Sequence, residues 1–169
     1  MNDLATEIPN NEAERISNIE IDEVTEINDY CETIINKTER EKLDAVGNFL
    51  KNHLINALKE GVQMAKEVEQ RVFNQEKPKK LSQVLEDKWG VCLDWNAVGK
   101  AMLDKLGIEN VFRTGQYPGG PKHTYLDVKI NDNWEIFDPF AEQYIKDNGG
   151  TGTRFQWIYY IDSNAEKKD

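Results

Sequence analysis

Three residues in the C-terminal half have side chains that together can carry out nucleophilic chemistry: Cys92, His123 and Asp138. A cysteine thiolate is a strong nucleophile, a histidine can take up and return a proton near neutral pH, and a carboxylate can orient that histidine. Each residue also has an ordinary structural interpretation, as a small buried hydrophobe, a hydrogen-bonded strand residue and a turn-forming Asp-Pro. Taken together, the three predict a thiol-nucleophile triad that acts on amide bonds.

Cys92 comes directly after a glycine break and opens a predicted helix that runs from about Val91 to Leu106. Gly107 follows at the position where a left-handed helix cap requires glycine. Unpaired N–H groups and the positive end of the helix dipole favour a thiolate at such an N-terminus. Asp94 and Asn96 lie close by and are interpreted as helix-capping residues. The sequence therefore predicts an activated cysteine at the start of a helix.

The pairing of His123 with Asp138 depends on the turn between two predicted strands, His123–Ile130 and Asn133–Asp138. If Asn131-Asp132 forms a two-residue hairpin loop, His123 and Asp138 become diagonal neighbours on one face, within reach of a hydrogen bond. A three-residue loop would place the two side chains on opposite faces. The local sequence Asn-Asp-Asn leaves both loops open.

The segments around these residues resemble the transglutaminase-like superfamily of cysteine enzymes, over roughly residues 81–145. Gly90-Val-Cys92-Leu-Asp-Trp, followed by Met102-Leu-x-x-Leu-Gly-Ile108, is similar to the nucleophile helix of that superfamily. The segment from His123 to Trp134-Glu-Ile-Phe-Asp138-Pro is similar to its histidine strand, hairpin and Trp-x-x-x-Asp-Pro motif. The hairpin turn of the family is commonly Asp-Gly, which favours the two-residue loop, whereas this chain has Asn131-Asp132. The resemblance implies a Cys-His-Asp triad within a papain-like or transglutaminase-like core.

A further segment, Asp138-Pro-Phe-Ala-Glu-Gln143-Tyr, resembles one found in bacterial toxin and effector members of this clan, such as the deamidase domain of the Pasteurella toxin. There the glutamine is a candidate oxyanion-hole donor. The resemblance implies that Gln143 joins the backbone N–H of Cys92 in stabilising a tetrahedral intermediate; an ordinary exposed glutamine is the alternative. It also implies glutamine deamidation by a bacterial toxin or effector. Transglutamination and thiol proteolysis, which share the same acyl-enzyme, are alternatives, and so is a non-catalytic peptide-binding module.

The pattern along the chain changes at a charged, proline-containing linker, Glu76-Lys77-Pro78-Lys79-Lys80. Before it, from about Glu14 to Gln75, apolar residues recur at helical spacing and predict two or three helices. We therefore predict a helical N-terminal extension over residues 1–78 and a catalytic core over residues 79–169. The core has an α+β fold, in which the nucleophile helix packs on an antiparallel sheet. Its other predicted elements are a short helix at Leu81–Asp87 and strands at Asn110–Thr114, His123–Ile130, Asn133–Asp138 and Phe155–Asp162.

Composition narrows the classes of partner. The formal net charge is −10, so the surface should on average repel phosphate backbones, and we expect no nucleic acid partner. We expect a protein substrate that carries a glutamine or peptide amide, and a partner or chaperone at the acidic N-terminal helices. With only two cysteines and two histidines, no metal-ligand cluster is expected, and we predict no metal or cofactor.

The sequence also bears on location. No apolar run approaches the roughly 20 residues that a membrane-spanning helix needs. The start of the chain lacks the basic and apolar regions of a Sec signal peptide. We therefore expect a cytoplasmic protein, or one that is secreted into a target cell without a Sec signal.

Overall fold

The computed structural model describes residues 19–56, 79–116, 122–147 and 158–160, with side chains for residues 19–54, 79–113 and 123–143. Within these ranges the helices are α1 (Thr25–Ile34), α2 (Glu39–His53), α3 (Leu81–Asp87), α4 (Cys92–Lys105) and α5 (Pro139–Asp147). The strands are β1 (Ile55–Asn56), β2 (Trp89–Gly90), β3 (Asn110–Gln116), β4 (Lys122–Ile130), β5 (Asn133–Phe137) and β6 (Ile158–Tyr160).

The larger sheet is antiparallel and has the strand order β5-β4-β3-β6. Strand β4 lies inside it, between β3 and β5, and carries His123 near its beginning. Alternate residues of β4 join the main hydrophobic core: Leu126, Val128 and Ile130. The sheet therefore holds the histidine strand between two neighbours, which restricts its movement.

Helix α4 is the centre of the packing. Every residue from Leu93 to Leu103 except Lys100 is buried, including the polar Asp94 and Asn96. It contacts β3 and β4 as well as the four other helices of the described ranges. Gly99 lets α4 pack close to α2 and β5, because a Cβ there would lie 3.3 Å from a methyl of Leu50 on α2 and 3.6 Å from the Phe137 ring. The nucleophile helix is thus fixed from several directions.

The C-terminus of α4 ends as predicted. Gly107 has a φ of 76°, the left-handed conformation that favours glycine. The N–H of Ile108 donates to the carbonyl of Leu103 (2.9 Å), and that of Gly107 to Asp104 (3.2 Å). These two bonds form a Schellman motif, which ends the helix and directs the chain into β3.

Helices α1 and α2 belong to the same hydrophobic core as α4, through residues such as Ile27, Val46 and Leu50. Thr38 starts α2 with a capping box: its hydroxyl accepts from the N–H of Glu41 (3.2 Å), and its own N–H donates to the Glu41 carboxylate (3.1 Å). The short strand β1 follows α2 and pairs in parallel with β2, directly before Cys92. Residues before the predicted linker therefore pack on the nucleophile helix.

The predicted α+β class, with a nucleophile helix against an antiparallel sheet, is confirmed. The predicted helices over Glu14–Gln75 are found at α1 and α2; the parts at residues 14–18 and 57–75 lie outside the described residues. Of the predicted strand Phe155–Asp162, the structure describes the central Ile158–Tyr160. The division between residues 78 and 79 stays a prediction. None of the helices in the described ranges is long and apolar enough to cross a bilayer.

Three features of the fold were not predicted. Helix α5 begins directly after Asp138, although the sequence suggested only a turn there. The parallel pairing of Ile55 with Trp89 and of Asn56 with Gly90 joins positions distant in sequence, which a local pattern does not indicate. In addition, β3 extends to Gln116, beyond the predicted end, because it pairs with β4 as far as Lys122.

Candidate active site

Cys92 is the first residue of α4, as the sequence predicted. Val91 precedes it in extended conformation, and its carbonyl accepts the first intrahelical bond, from the N–H of Trp95 (3.0 Å). The N–H of Cys92 is thus one of the first-turn donors that have no partner within the helix. The cysteine is half-buried and has a free thiol. It is therefore reachable and lies where the helix dipole favours negative charge.

The turn before Cys92 is held by Asp94, which is fully buried. One carboxylate oxygen of Asp94 accepts from the N–H of Val91 (3.0 Å), and the other accepts from the N–H of Lys79 (3.3 Å). Asp94 is therefore a helix-capping residue, as predicted. A Cβ at Gly90 would lie 2.5 Å from the Cβ of Asp94, so this position has room only for glycine. The glycine break in front of the cysteine is a steric requirement of the buried cap.

The register of the β4–β5 hairpin is the one that the two-residue loop predicts. Ile130 pairs with Asn133, and the ladder continues to Leu126 opposite Phe137. Asn131 and Asp132 form the turn with φ of 50° and 69°, both positive, as a type I′ turn requires. Asn and Asp tolerate this conformation better than other non-glycine residues do, so the departure from Asp-Gly is accommodated.

This register brings His123 and Asp138 together. Nε2 of His123 donates to Oδ2 of Asp138 over 2.6 Å. Both side chains are buried, at 1% and 0% exposure. Because a carboxylate only accepts, Nε2 is the donor and Nδ1 is the remaining ring nitrogen, and the Cys92 side chain lies near enough to the ring to raise the pKa of His123. The structure thus joins His123 to Asp138, with the Cys92 side chain near the ring; the triad as a whole stays a prediction.

Asp138 has a second role at the start of α5. Its Oδ1 accepts from the N–H of Ala141 (3.2 Å), and its backbone carbonyl accepts from the N–H of Glu142 (3.2 Å). Asp138 is therefore the N-cap of the helix, and Pro139 occupies the first helical position, where the missing N–H costs nothing. The Asp-Pro pair that looked like a turn is a helix start. The cap fixes the carboxylate in the orientation that His123 needs.

The surroundings of His123 favour its charged form. Burial has the largest influence on the ring and by itself lowers its pKa, but the charge and hydrogen bond of Asp138, together with Cys92, raise the pKa of His123 to about 10. The ring is thus an imidazolium at neutral pH. An imidazolium can give a proton to a leaving group, which is the acid step of acyl transfer.

Aromatic side chains enclose the imidazole. The ring centroid of Phe140 lies 6.2 Å from that of His123, and Phe140 packs edge-on against Trp95 at 5.6 Å. Tyr125 lies 6.4 Å from His123, two residues along the same strand. Such apolar surroundings strengthen the electrostatic interactions within the site.

Gln143 is half-buried on α5, one helical turn after Phe140. Residues three apart lie on the same side of a helix, so Gln143 is on the side of α5 that carries the ring facing His123. Its predicted oxyanion-hole role stays a prediction.

The interpretation of Asn96 as a helix cap is wrong. Its side-chain amide donates to the carbonyls of Cys92 and Thr124, each at 2.8 Å, and so joins α4 to β4. The sequence gave no signal for this contact, because Thr124 becomes a neighbour only in the folded sheet. In the part of the chain that the structure describes, no cluster of His, Cys, Asp or Glu is placed to bind a metal ion.

Comparison with known proteins gives a fold. Neither a protein-family model nor a curated protein matches the sequence. Similar solved structures include a protein of Cytophaga hutchinsonii provisionally assigned as a cysteine protease (15% identity, TM-score 0.52, 83% of this chain and 45% of that one). Others are a TGase (19%, 0.50, 70% and 34%) and a provisionally assigned protease of Parabacteroides distasonis ATCC 8503 (15%, 0.54, 78% and 25%).

These similarities define the class of fold. The chain has the fold of transglutaminase-like and papain-like cysteine proteases, in agreement with the resemblance of its motifs. It spans less than half the length of each of these proteins.

Gly90→Ala tests the steric requirement in front of the nucleophile. The added methyl would collide with Asp94, so we expect a loss of about 1–3 kcal/mol in the free energy of unfolding, measured by urea denaturation. Gly47→Ala is the matched control, because its Cβ would make an ordinary 3.6 Å contact with Phe137, and alanine gains about 0.5–1 kcal/mol in a helix. Equal stability of the two variants would contradict the assignment.

The raised pKa of His123 predicts a pH-dependent stability. In a Cys92→Ala background, which isolates the His123–Asp138 pair, the native state keeps a proton that the unfolded chain releases near pH 6.5. The stabilisation is thus complete below about pH 6.5 and is lost as pH rises through the raised native pKa. Urea midpoints should fall from pH 6 to pH 9. Adding Asp138→Asn should remove this fall; an unchanged fall would refute the pairing.

Proposed function

We propose that this protein is a cysteine-dependent acyl-transfer enzyme that acts on amide groups of proteins. The observation that carries the proposal is the buried imidazole of His123, which is hydrogen-bonded to the Asp138 carboxylate and lies close enough to the Cys92 side chain for that side chain to raise its pKa. A nucleophile, a base in contact with it and a third group that orients the base are the parts that thiol acyl transfer requires. The fold shared with cysteine proteases and a TGase supports the same class.

In the first half of the reaction, the thiolate of Cys92 attacks the carbonyl carbon of an amide and forms a C–S bond. The negative charge moves to the carbonyl oxygen, which the backbone N–H of Cys92 and the side-chain amide of Gln143 stabilise. The C–N bond then breaks, and His123 gives its proton to the leaving nitrogen, which departs as ammonia or an amine. The product is a thioester, and Asp138 keeps the neutral ring in orientation.

In the second half, an acceptor attacks the thioester. His123 takes the proton of the acceptor at Nδ1, a C–O or C–N bond forms, the C–S bond breaks, and the thiolate–imidazolium pair is restored. Water as acceptor on a glutamine side chain gives glutamate, water on a peptide bond gives proteolysis, and a lysine amine gives a crosslink. The acceptor and the substrate amide therefore decide which reaction is catalysed.

Within this class we propose glutamine deamidation by a bacterial toxin or effector. The support is the segment from Asp138 to Gln143, which resembles that of deamidase members of the clan, and the place of Gln143 on the same side of α5 as Phe140. The partner is then a protein that presents a glutamine. A further binding partner at the acidic N-terminal helices, and delivery into a target cell without a Sec signal, belong to this proposal.

Transglutamination or thiol proteolysis is the second candidate. It is favoured by the structural neighbours, two of which are provisionally assigned as proteases and one described as a TGase. A non-catalytic peptide-binding module is a weaker alternative, since a cleft that only binds peptides does not need a buried His–Asp pair beside a reachable thiol.

Intact mass spectrometry of candidate protein substrates separates the reactions. For deamidation we expect the mass change of an amide converted to a carboxylate, in a substrate that stays full-length. Substrate fragments would indicate proteolysis, and covalent addition of a supplied amine would indicate transglutamination. Cys92→Ala should lower the rate by at least about 10⁴-fold and Asp138→Asn by about 10²–10⁴-fold.

The control is Cys31→Ala. Cys31 is a buried residue of α1, and burial raises the pKa of its thiol, so it is unsuited to be a nucleophile. Activity should survive this substitution. Modification of substrate that persists in Cys92→Ala would refute the proposed class of enzyme.

Gln143→Ala tests the oxyanion donor. Loss of a donor that acts in the transition state should lower kcat by about 10²–10³-fold and leave KM nearly unchanged. Glu142→Ala is the matched control on the neighbouring position, where the carboxylate accepts from Lys51 Nζ (3.0 Å) in a partly exposed ion pair. Equal kinetics for the two variants would remove Gln143 from the mechanism.

A further inference from the structure

We propose that Asn96 is a positioning residue that sets the geometry between the nucleophile and its base. The proposal rests on the proposed function and deepens it, because it names what holds Cys92 against His123. Asn96 is fully buried on α4, one turn after Cys92. It is not part of the predicted triad, and it touches neither the thiol nor the imidazole in any described contact.

The side-chain amide of Asn96 connects two elements. Nδ2 donates one hydrogen to the carbonyl of Cys92 and the other to the carbonyl of Thr124, both at 2.8 Å. Thr124 is adjacent to His123 in β4. A single planar group thus joins the backbone of the nucleophile to the backbone beside the base.

The orientation of this amide is fixed by its partners. Rotating it by half a turn would place Oδ1 against two carbonyl oxygens, which are also acceptors. In the orientation that the structure has, Oδ1 is buried and has no hydrogen-bond partner among the described residues. The structure thus leaves one buried acceptor without a hydrogen bond and keeps both N–H bonds. The two bonds to the carbonyls of Cys92 and Thr124 are therefore what this side chain contributes.

Thr124 pairs with Thr114 of β3, which holds β4 within the sheet but does not join it to α4. Strand β5 ends at Phe137, opposite Leu126, so Thr124 lies beyond the last pair of the β4–β5 ladder. The chain that follows β5 is the helix α5, which begins at Pro139. The Asn96 amide therefore connects β4 to α4 at the end of the hairpin, where His123 must face Cys92. Without it, the end of β4 and the start of α4 could shift relative to each other, and a displacement of about 1 Å can cost about 10²-fold in rate.

Alkylation of Cys92 by iodoacetamide tests the proposal without a known substrate. The rate constant is measured by peptide mass spectrometry between pH 5 and pH 10, which separates Cys92 from buried Cys31. In the native protein, the thiolate paired with His123 should react at pH 6 at least about tenfold faster than in His123→Ala. In Asn96→Ala, the rate at pH 6 should fall about tenfold toward that of His123→Ala, while the rate at pH 10 stays the same.

Asn110→Ala is the matched control for a purely structural loss. Asn110 is also buried, donates to Asp104 (2.8 Å) and to the carbonyl of Ile108 (2.9 Å), and lies at the opposite end of α4. Its removal should lower the melting temperature and leave the pH profile of Cys92 alkylation unchanged. Asn96→Ser keeps one donor for the Cys92 carbonyl and gives the same test should Asn96→Ala not fold; it too should lose reactivity at pH 6.

Two failures are distinguishable. Should alkylation of Cys92 in the native protein be independent of His123, the proposed function itself is overturned. Should His123 matter while folded Asn96→Ala or Asn96→Ser keeps the native profile, only the positioning role is overturned. A loss of reactivity in Asn110→Ala equal to that in the Asn96 variants would likewise assign the effect to general destabilisation.

Discussion

Burying an imidazole and a carboxylate together costs free energy unless each group satisfies the other, and this constraint shapes the whole site. His123 and Asp138 are both withdrawn from solvent and share a 2.6 Å hydrogen bond. Either group alone would be an uncompensated polar group in an aromatic environment. The pair is stable only if the two strands that carry it keep their register and the helix that follows keeps its start. The strength of the interaction therefore depends on backbone elements several residues away.

A turn and the end of a strand satisfy this constraint. A type I′ turn at Asn131-Asp132 sets the register, and the end of β5 at Phe137 leaves Asp138 free to cap α5. One carboxylate oxygen is then used by the helix and the other by the imidazole. A single carboxylate has a similar role at α4, where the buried Asp94 holds the turn in front of Cys92. In both places a helix N-terminus and a functional group are positioned by one carboxylate.

The similarity to solved structures concerns the fold, since identities of 15–19% leave most side chains different. Proteins of one fold can carry different chemistry, and the function has to be argued from the site. In this chain that argument depends on the three triad side chains, on Gln143 and on the Asn96 amide, which joins the carbonyl of Cys92 to that of Thr124. The chain spans less than half the length of each of these structural neighbours.

The sequence by itself determined the elements with strong local signals: the helix that begins at Cys92, its end at Gly107 and the strands on both sides of Asn131-Asp132. These follow from periodicity, glycine conformation and turn chemistry, which act over a few residues. Local sequence left the hairpin register open, did not indicate the helix that Asp138 caps and led to the wrong role for Asn96. Those features depend on groups that meet only after folding: the imidazole of His123, the carbonyl of Thr124 and the end of a neighbouring strand. The sequence thus determined which groups could react, while tertiary structure decided their distances, because burial and hydrogen bonds between remote segments set them.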